Sequence, residues 1–352
     1  KIGLTLPGFV RRSELIASLP SLGLLTLAAM TSNEFDVEYL EVPDVDAVDG
    51  LPGEYDVVAI SSYTAQIKDA YRLADRYRQE GTRVILGGLH VTSVPREASE
   101  HADAIVMGEG EPSWPAVLND VRHGDLKPVY DSGGHDFDLS KSPVPRYDLL
   151  DQKRYNRLTV QTQRGCPHRC EFCGASLQLC RTYKVKPVEN VIAEVRRIKE
   201  IWPRPFIEFA DDNTFVNKAH SKKLVRALSR ENIRWFTETD ISVADDEELL
   251  ALMRDSGCAQ VLIGLESPTR RALEGLETRS DWKIRRLDKY HRAIAKIQAH
   301  GISVNGCFIL GLDGSGPESF DQVFEFVRDS GLFEVQITIQ TPFPGTLLYD
   351  RL

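Results

Sequence analysis

Short apolar runs, each followed by a stretch with helical spacing, recur along this chain and restrict it to a parallel sheet covered by helices. Asp56–Ser61 (DVVAIS) and Arg83–Gly87 (RVILG) carry the unbroken hydrophobic pattern of strands buried on both faces, and Ala102–Met107 adds a third. Ile2–Leu6, ended by Pro7-Gly8, and Val37–Val42 also read as strands. Helices are expected over Leu22–Met30, over Ala65–Glu80 up to Gly81, and near Trp114–Val121. Strands alternating with helices in this way form a doubly wound sheet with helices on both faces.

Residues 122–156 break the pattern. Their opening stretch, HGDLKPVYDSGGHDFDLSKSPVPRYDLL, is rich in Gly, Pro, Asp and Ser, has no sustained period, and reads as a linker. Alternation resumes from residue 157, with strands expected at Leu158–Gln163, Phe206–Phe209, Arg234–Thr237, Val261–Gly264, Val304–Ile309 and Val335–Gln340. Helical patterns fill the gaps, among them Val188–Ile201, Lys218–Ser229 and Glu247–Ser256. Six repeats make a partial (βα)6 TIM-type barrel and are too few for a closed eight-stranded one. The expected fold is therefore α/β: a doubly wound, parallel Rossmann-like sheet in residues 1–121, a linker in 122–156, and the partial barrel in 157–352. The final strand-and-turn pattern runs straight to Leu352 and leaves room for a further C-terminal segment.

Composition narrows the function classes. The 352 residues suit two domains at roughly 150 residues each. A net charge of −9, spread along the chain, argues against a protein that grips nucleic acid with a broad basic face. Hydrophobic content of 42% with 27% charged residues excludes a disordered chain. No apolar run approaches the roughly 18–20 residues of a membrane span, and Lys1–Val10 lacks the apolar stretch of a signal peptide. Six cysteines are too sparse for a disulfide scaffold, so a reducing, cytoplasmic setting is expected.

Open parallel sheets bind ligands beyond the carboxyl ends of their strands. In the first domain those ends carry Ser61-Ser62-Tyr63-Thr64, Gly87-Gly88-Leu89-His90 and Gly108-Glu109-Gly110-Glu111. Ser61, Ser62, Gly87, Gly88, Gly108 and Glu109 are the candidates, because glycine lets backbone approach a ligand and hydroxyls hydrogen-bond it. Ordinary strand-to-helix turns use the same residues, so both readings stand. No GxGxxG follows the first strand, which argues against a dinucleotide site.

The densest chemical signal follows the first barrel strand: Arg164-Gly165-Cys166-Pro167-His168-Arg169-Cys170-Glu171-Phe172-Cys173, a C-x3-C-x2-C spacing. Three thiolates on one short loop can ligate three irons of a [4Fe–4S] cluster and leave the fourth iron open to substrate. A zinc site completed by His168 is the competing reading, although zinc loops usually come as two paired ligand sets and no second CxxC is present. Reduced structural thiols are the third. Cys258 and Cys307 sit in or beside apolar strands and are expected to pack. Cys180 lies close after the triad, and Arg181, Lys184 and Lys186 form a small basic stretch that reads as a solvated face.

With Phe172 before the last cysteine, the motif resembles that of the radical SAM superfamily. The first domain resembles the cobalamin-binding module fused to many of those enzymes, through Ser21–Leu25, DVVAISSYT, LGGLHVT and MGEGE. The resemblance implies that Cys166, Cys170 and Cys173 hold a [4Fe–4S] cluster whose open iron binds S-adenosylmethionine for reductive carbon–sulfur cleavage. It also implies cofactor contacts from Phe172, from Asp211 and Asp212 after the second barrel strand, from Glu238 at the end of the third, and from Glu266 in Gly264-Leu265-Glu266-Ser267. Asp211 and Asp212 equally suit a helix cap, while a carboxylate such as Glu266 just beyond a buried strand needs a partner. Gly311–Gly314 and Thr341–Thr346 resemble the family's adenine-side segment and T-P-x-P-G-T turn, and both also read as turn chemistry.

One departure bears on the cofactors. The DxHxxG frame that carries a cobalt-ligating histidine is absent, and His90 has no such frame around it. Many cobalamin-linked members lack the frame, so cobalamin-dependent methyl transfer to an unactivated carbon of a small molecule is the leading expectation. The alternative is a cobalamin-free enzyme, performing either a 5′-deoxyadenosyl-radical rearrangement or cyclisation or a 3-amino-3-carboxypropyl transfer. A sensor built on a structural cluster or zinc is the non-enzyme reading. The expected partners are the small molecule and a low-potential donor of flavodoxin or ferredoxin type, with no nucleic acid and no membrane span.

Overall fold

The computed structural model describes residues 19–48, 50–134, 136–174 and 182–352. The strand expected at Ile2–Leu6 lies outside them, as do Cys180 and Arg181.

The first domain runs α1 (Leu22–Met30), β1 (Val57–Ser61), α2 (Ile67–Gln79), β2 (Arg83–Gly87), α3 (Leu89–Ser93), α4 (Pro95–Glu100), β3 (Ala104–Met107), α5 (Gly110–His123) and β4 (Val129–Asp131). Its strands pair in parallel in the order β1-β2-β3-β4. Val84, Ile85 and Leu86 of β2 are buried between two apolar clusters: Leu73, Ala74 and Tyr77 lie on one face, and Trp114 and Val117 on the other. Helices on both faces explain the unbroken hydrophobic runs.

Two expectations change here. Val37–Val42 alternates in exposure but has no strand partner among the described residues, so it forms no strand. The segment expected as pure linker contributes β4, whose Ile105↔Val129 pairing adds an edge to the first sheet. Three residues are too few to show a period.

Helix α1 is apolar on every side, as expected of an element buried all round. Leu25 belongs to the barrel's core cluster, whereas Leu27 and Met30 pack with the first sheet. The same helix thus serves both layers, and Tyr147 from the connecting segment is fully buried beside it, its hydroxyl donating to the Thr159 carbonyl at 2.8 Å.

The second domain continues with β5 (Leu158–Val160), a short antiparallel ribbon of β6 (Gln163–Arg164) and β7 (Lys184–Val185), α6 (Val188–Ile201), β8 (Phe206–Phe209), α7 (Lys218–Leu228), β9 (Arg234–Thr239), α8 (Glu247–Asp255), β10 (Cys258–Glu266), α9 (Arg270–Leu273), α10 (Tyr290–Ala299), β11 (Ser303–Leu310), α11 (Ser319–Ser330), β12 (Glu334–Ile339) and α12 (Leu347–Arg351). Six parallel strands, β5-β8-β9-β10-β11-β12, curve as the expected partial barrel. Leu158, Val160, Ile207, Phe209, Trp235, Val261, Val304 and Phe308 face the helices and are 0% exposed. Their neighbours along each strand, such as Glu208, Phe236, Asn305 and Cys307, face the other way, into the lumen. Cys258 packs in the core as expected, but Cys307 belongs to the lumen face, opposite Gly264. No helix among the described residues is long and apolar enough to cross a membrane.

Candidate active site

The cysteine loop is fixed from three sides. Gly165 N–H donates to Asp212 at 3.0 Å, which sets where the loop leaves β6. Arg169 N–H donates to Glu277 at 3.2 Å, Glu171 N–H to the Leu276 carbonyl at 3.0 Å, and Cys170 forms an isolated bridge with Glu277. From the C-terminal side, Leu348 N–H donates to the Glu171 carbonyl and Arg351 pairs with the Glu171 carboxylate at 2.9 Å. Phe172 packs on the small apolar cluster of Ala272, Leu273, Leu276 and Leu312, which anchors the last turn of the loop.

Cys166, Cys170 and Cys173 form no disulfide. Burial pushes Cys166 up to about 11 and Cys170 up to about 12. Thiols raised in this way stay protonated at neutral pH, and a metal centre would have to displace the proton as it binds. Zinc does not fit. His168 is turned away, its ring stacked on Trp282 at 4.2 Å and its Nε2 3.7 Å from Asp240. Among the described residues no three His, Cys, Asp or Glu side chains converge on one ion. A cube presents separate irons to separate thiolates, so its ligands need no common point, and the three cysteines fit it.

Around the loop, the carboxyl ends of the barrel strands carry polar groups already matched to one another. Asp211 is buried and accepts from Thr162 N–H at 2.7 Å, Gln163 N–H at 3.1 Å and Thr214 Oγ1 at 3.0 Å. Burial nevertheless pushes its carboxyl up to about 6. Its bonds tie the end of β5 to the end of β8. Asp212 does the same for Gly165, so both acids hold backbone. Asn213 is the residue that looks at sulfur: its Nδ2 lies 3.9 Å from Cys166 Sγ and 2.7 Å from Asp240. Burial works against the charge on Asp240, but the nearby His168 ring and hydrogen bonds from Ser242 and Asn213 outweigh it and hold the carboxyl well below its usual range.

Glu238 points into the open lumen. It keeps solvent-facing surface there, yet protein and the acids Glu208, Asp212 and Asp211 ring its carboxylate. Burial first, then those charges, push it up to about 7. Arg157 balances Glu208 at 2.7 Å, whereas the charges that act on Glu238 are those of acids.

Glu266 is a strained point at the carboxyl end of β10. Its φ is 62°, in the left-handed region, and the β10–β11 register shifts between Gly264 and Glu266. A non-glycine residue there costs roughly 1–2 kcal/mol, and such strain persists where surroundings over-determine it. Lys283 supplies that constraint: Nζ donates to Glu266 at 2.9 Å and to the Gly264 carbonyl at 2.6 Å, and both side chains are about nine-tenths buried. A side chain at Gly264 would collide with the Glu266 carboxylate. Lys283 also acts electrostatically on Cys170, so a buried cation stands beside the cluster loop.

The first sheet's carboxyl edge gathers most of its candidates. Ser61 pairs with Gly87 across β1–β2, and a Cβ on Gly88 (φ 105°) would come within 2.9 Å of Ser61 Oγ. One on Gly108 (φ 75°) would come within 2.7 Å of Ser132 Oγ. Tyr63 stands 79% exposed on the same edge. A smooth rim that only glycine permits, with hydroxyls along it, suits the approach of a large flat ligand, and cobalamin fits that chemistry. His90 is not poised to ligate from it: the ring is buried, with Nδ1 3.2 Å from Thr64 Oγ1 and Nε2 3.5 Å from Glu97. Glu109 does not face the rim either. It is paired with Arg164 and Lys184 of the barrel, at 2.6 Å each.

The two edges meet. A methyl placed on Gly174, just after the last cysteine, would lie 3.5 Å from Leu89 of the first sheet and 3.8 Å from Thr346. Asn213, Asp240, Lys283 and Arg164 were not singled out from the sequence as site residues. Asn213 and Asp240 adjoin acidic positions that were, while Lys283 and Arg164 had no local signal.

The model of the radical SAM superfamily matches residues 160–327, and that of the B12 binding domain matches residues 13–118. This chain belongs to the radical SAM superfamily, in the branch that carries an N-terminal B12-binding domain. It is 28% identical over 341 residues to the bacteriochlorophyllide d C-12(1)-methyltransferase of Chlorobaculum tepidum, covering 95% of this chain and 74% of that one. It is 26% identical to the hopanoid C-2 methylase of Rhodopseudomonas palustris, over 96% of this chain and 65% of the relative. Its fold matches that of the radical S-adenosylmethionine methyltransferase TsrM from Kitasatospora setae, solved with cobalamin and a [4Fe–4S] cluster bound. That match has a TM-score of 0.73 and 17% identity, and covers 95% of this chain and 75% of the other. Membership makes this a radical SAM enzyme, with a [4Fe–4S] cluster and S-adenosylmethionine as its cofactors.

Proposed function

We propose that this radical SAM enzyme replaces a C–H bond of a small molecule with C–CH3, carrying the methyl group on cobalamin bound at the first sheet's carboxyl edge. The observation that supports this most is the approach of the two edges: a methyl on Gly174, behind the cysteines, would lie 3.5 Å from Leu89, the first residue of α3 beside the glycine rim. When bound, the cluster supplies the electron for carbon–sulfur cleavage of S-adenosylmethionine, and cobalamin supplies the methyl carrier.

The protein's own groups divide the remaining work. Cys166, Cys170 and Cys173 hold the irons, and Asn213 polarises the Cys166 sulfur. The Glu266–Lys283 pair sits on the strained turn beside Cys170, where its carboxylate has a second oxygen for a ribose or amino group. Glu238, near other acids, suits the ammonium of the methionyl moiety, and that charge would draw its proton off. Ser61, Ser62, Gly87, Gly88 and Gly108 form the rim for the corrin. The carboxyl edge offers a polar group for the substrate, since Gln340 Nε2, just past β12, is buried without a hydrogen-bond partner. A low-potential flavodoxin or ferredoxin in a reducing cytoplasm is the fitting electron source, and none of the described cysteines forms a disulfide.

Anaerobic purification with quantification of iron, sulfide and cobalt, followed by nucleoside analysis, tests the proposal. One S-adenosylhomocysteine and one 5′-deoxyadenosine should form per methylated product. Methylthioadenosine from cobalt-free protein would replace it with 3-amino-3-carboxypropyl transfer.

A further inference from the structure

Four charged side chains join the two edges, outside the set that holds either cofactor. Glu109 caps α5 directly after β3, and Glu111 lies in that helix's first turn. Acids are ordinary there, because helix N-termini favour negative charge. These two, however, are 7% and 6% exposed and reach into the other domain.

Arg164 Nη1 binds Glu109 Oε1 at 2.6 Å, its Nη2 binds Glu111, and its Nε donates to Gln161 Oε1 at 2.6 Å. Lys184, paired with Arg164 across the β6–β7 ribbon, binds the other Glu109 oxygen at 2.6 Å and the Phe137 carbonyl at 2.9 Å. Lys184 also lies 3.7 Å from Asp136, and Phe137 N–H donates to Glu109 Oε2 at 2.6 Å. Every polar end of Arg164 is therefore committed, and two residues later comes Cys166.

Buried ion pairs add little net stability, because desolvation offsets their attraction, but they can fix a register. A guanidinium forked between two carboxylates fixes orientation as well as distance. Here the register is that between the loop after β3, part of the glycine rim, and the first residue of the cluster loop.

We propose that Arg164, with Glu109, Glu111 and Lys184, is a positioning clamp that sets the distance between cobalamin and the cluster-bound S-adenosylmethionine. The proposal rests on the methyl-transfer reading above. Methyl passage between the two cofactors depends on that distance. Electron-driven cleavage of S-adenosylmethionine at the cluster does not.

Two variants test the clamp in the full chain loaded with cluster and cobalamin: Glu111→Gln, which keeps shape and removes charge, and Arg164→Lys, which keeps charge and loses the fork. With S-adenosylmethionine and a chemical reductant, and no other substrate, the single-turnover rate of S-adenosylhomocysteine formation (one per cobalamin) relative to the rate of 5′-deoxyadenosine formation should fall about tenfold in both. Iron and sulfide should stay unchanged, and 5′-deoxyadenosine should stay within about twofold. The electron-spin distance between Co(II) and the reduced cluster should broaden. An unchanged ratio overturns the clamp, and so does a proportional loss of both nucleosides together with iron, which would mark a merely structural contact. If the parent protein holds no cobalt, the methyl-transfer reading fails by itself. Hydrogen exchange then decides the clamp: faster exchange at 104–112 and 163–165 in the variants supports it, and identical exchange overturns it.

Discussion

At the carboxyl edge of the first sheet the backbone turns on glycines and hydroxyls, whereas at the barrel's edge a carboxylate stands at nearly every turn. Gly88 and Gly108 sit at positive φ with serine hydroxyls where a Cβ would go. Asp211, Asp212, Asp240, Glu266 and Glu277 each accept from backbone or from a cationic partner. The first edge suits a large neutral surface by shape, and the second suits a charged cofactor by electrostatics. Substitutions should therefore fail differently on the two sides: by bulk at the rim, and by charge in the barrel.

Removing one thiol should have the largest effect. Cys166→Ala should lose most of its iron and sulfide and reduce 5′-deoxyadenosine to background, while cobalt retention at the first sheet persists. Elemental analysis and nucleoside chromatography check both halves, and cobalt lost together with iron would break the distinction between the edges.

Next comes Lys283→Met, which leaves Glu266 buried and unpaired. Breaking such a pair typically costs about 3–5 kcal/mol, measurable by denaturant unfolding. A Lys283→Met/Glu266→Met double variant should recover much of the loss. If the single variant unfolds like the parent, the barrel edge is not held by charge.

At the rim, Gly108→Ala tests bulk. Placing a Cβ at positive φ costs roughly 1–2 kcal/mol, and its approach to Ser132 narrows the rim. Cobalt per chain should drop severalfold, with iron and 5′-deoxyadenosine formation unchanged.

The smallest effect is on pH dependence. Glu238 is pushed up to about 7 from an unfolded value near 4.5, so between these values the folded chain binds more protons than the unfolded one. That group therefore makes stability fall as pH rises through the window. Glu238→Gln should flatten the slope, seen as a smaller shift of melting temperature between pH 5 and 7.5 in cofactor-free protein. An unchanged slope would remove Glu238 from the set of unpartnered acids.

The same contrast explains what the sequence made legible. Short strand patterns located Phe206–Phe209 and Arg83–Gly87 as observed, and the cysteine spacing marked the loop, because these signals are local. Contacts between distant residues were not readable. Glu109 has the sequence context of a rim residue, and only the barrel, 55 positions on, supplies Arg164 and turns it away. Asp211 and Asp212 read equally as cofactor contacts or caps, yet they hold the backbone of Thr162, Gln163 and Gly165, nearly 50 positions earlier. Cys307 lies in an apolar strand, and only the sheet's pleat, with Val304 and Phe308 turned to the helices, puts its sulfur in the lumen.

Electron paramagnetic resonance of the reduced, anaerobically reconstituted protein bears most directly on the barrel edge. A [4Fe–4S]+ spectrum whose line shape changes on adding S-adenosylmethionine is expected, because the proposed set of three cysteine ligands would leave one iron open. A spectrum without that cluster, or one that S-adenosylmethionine leaves unaltered, would contradict it.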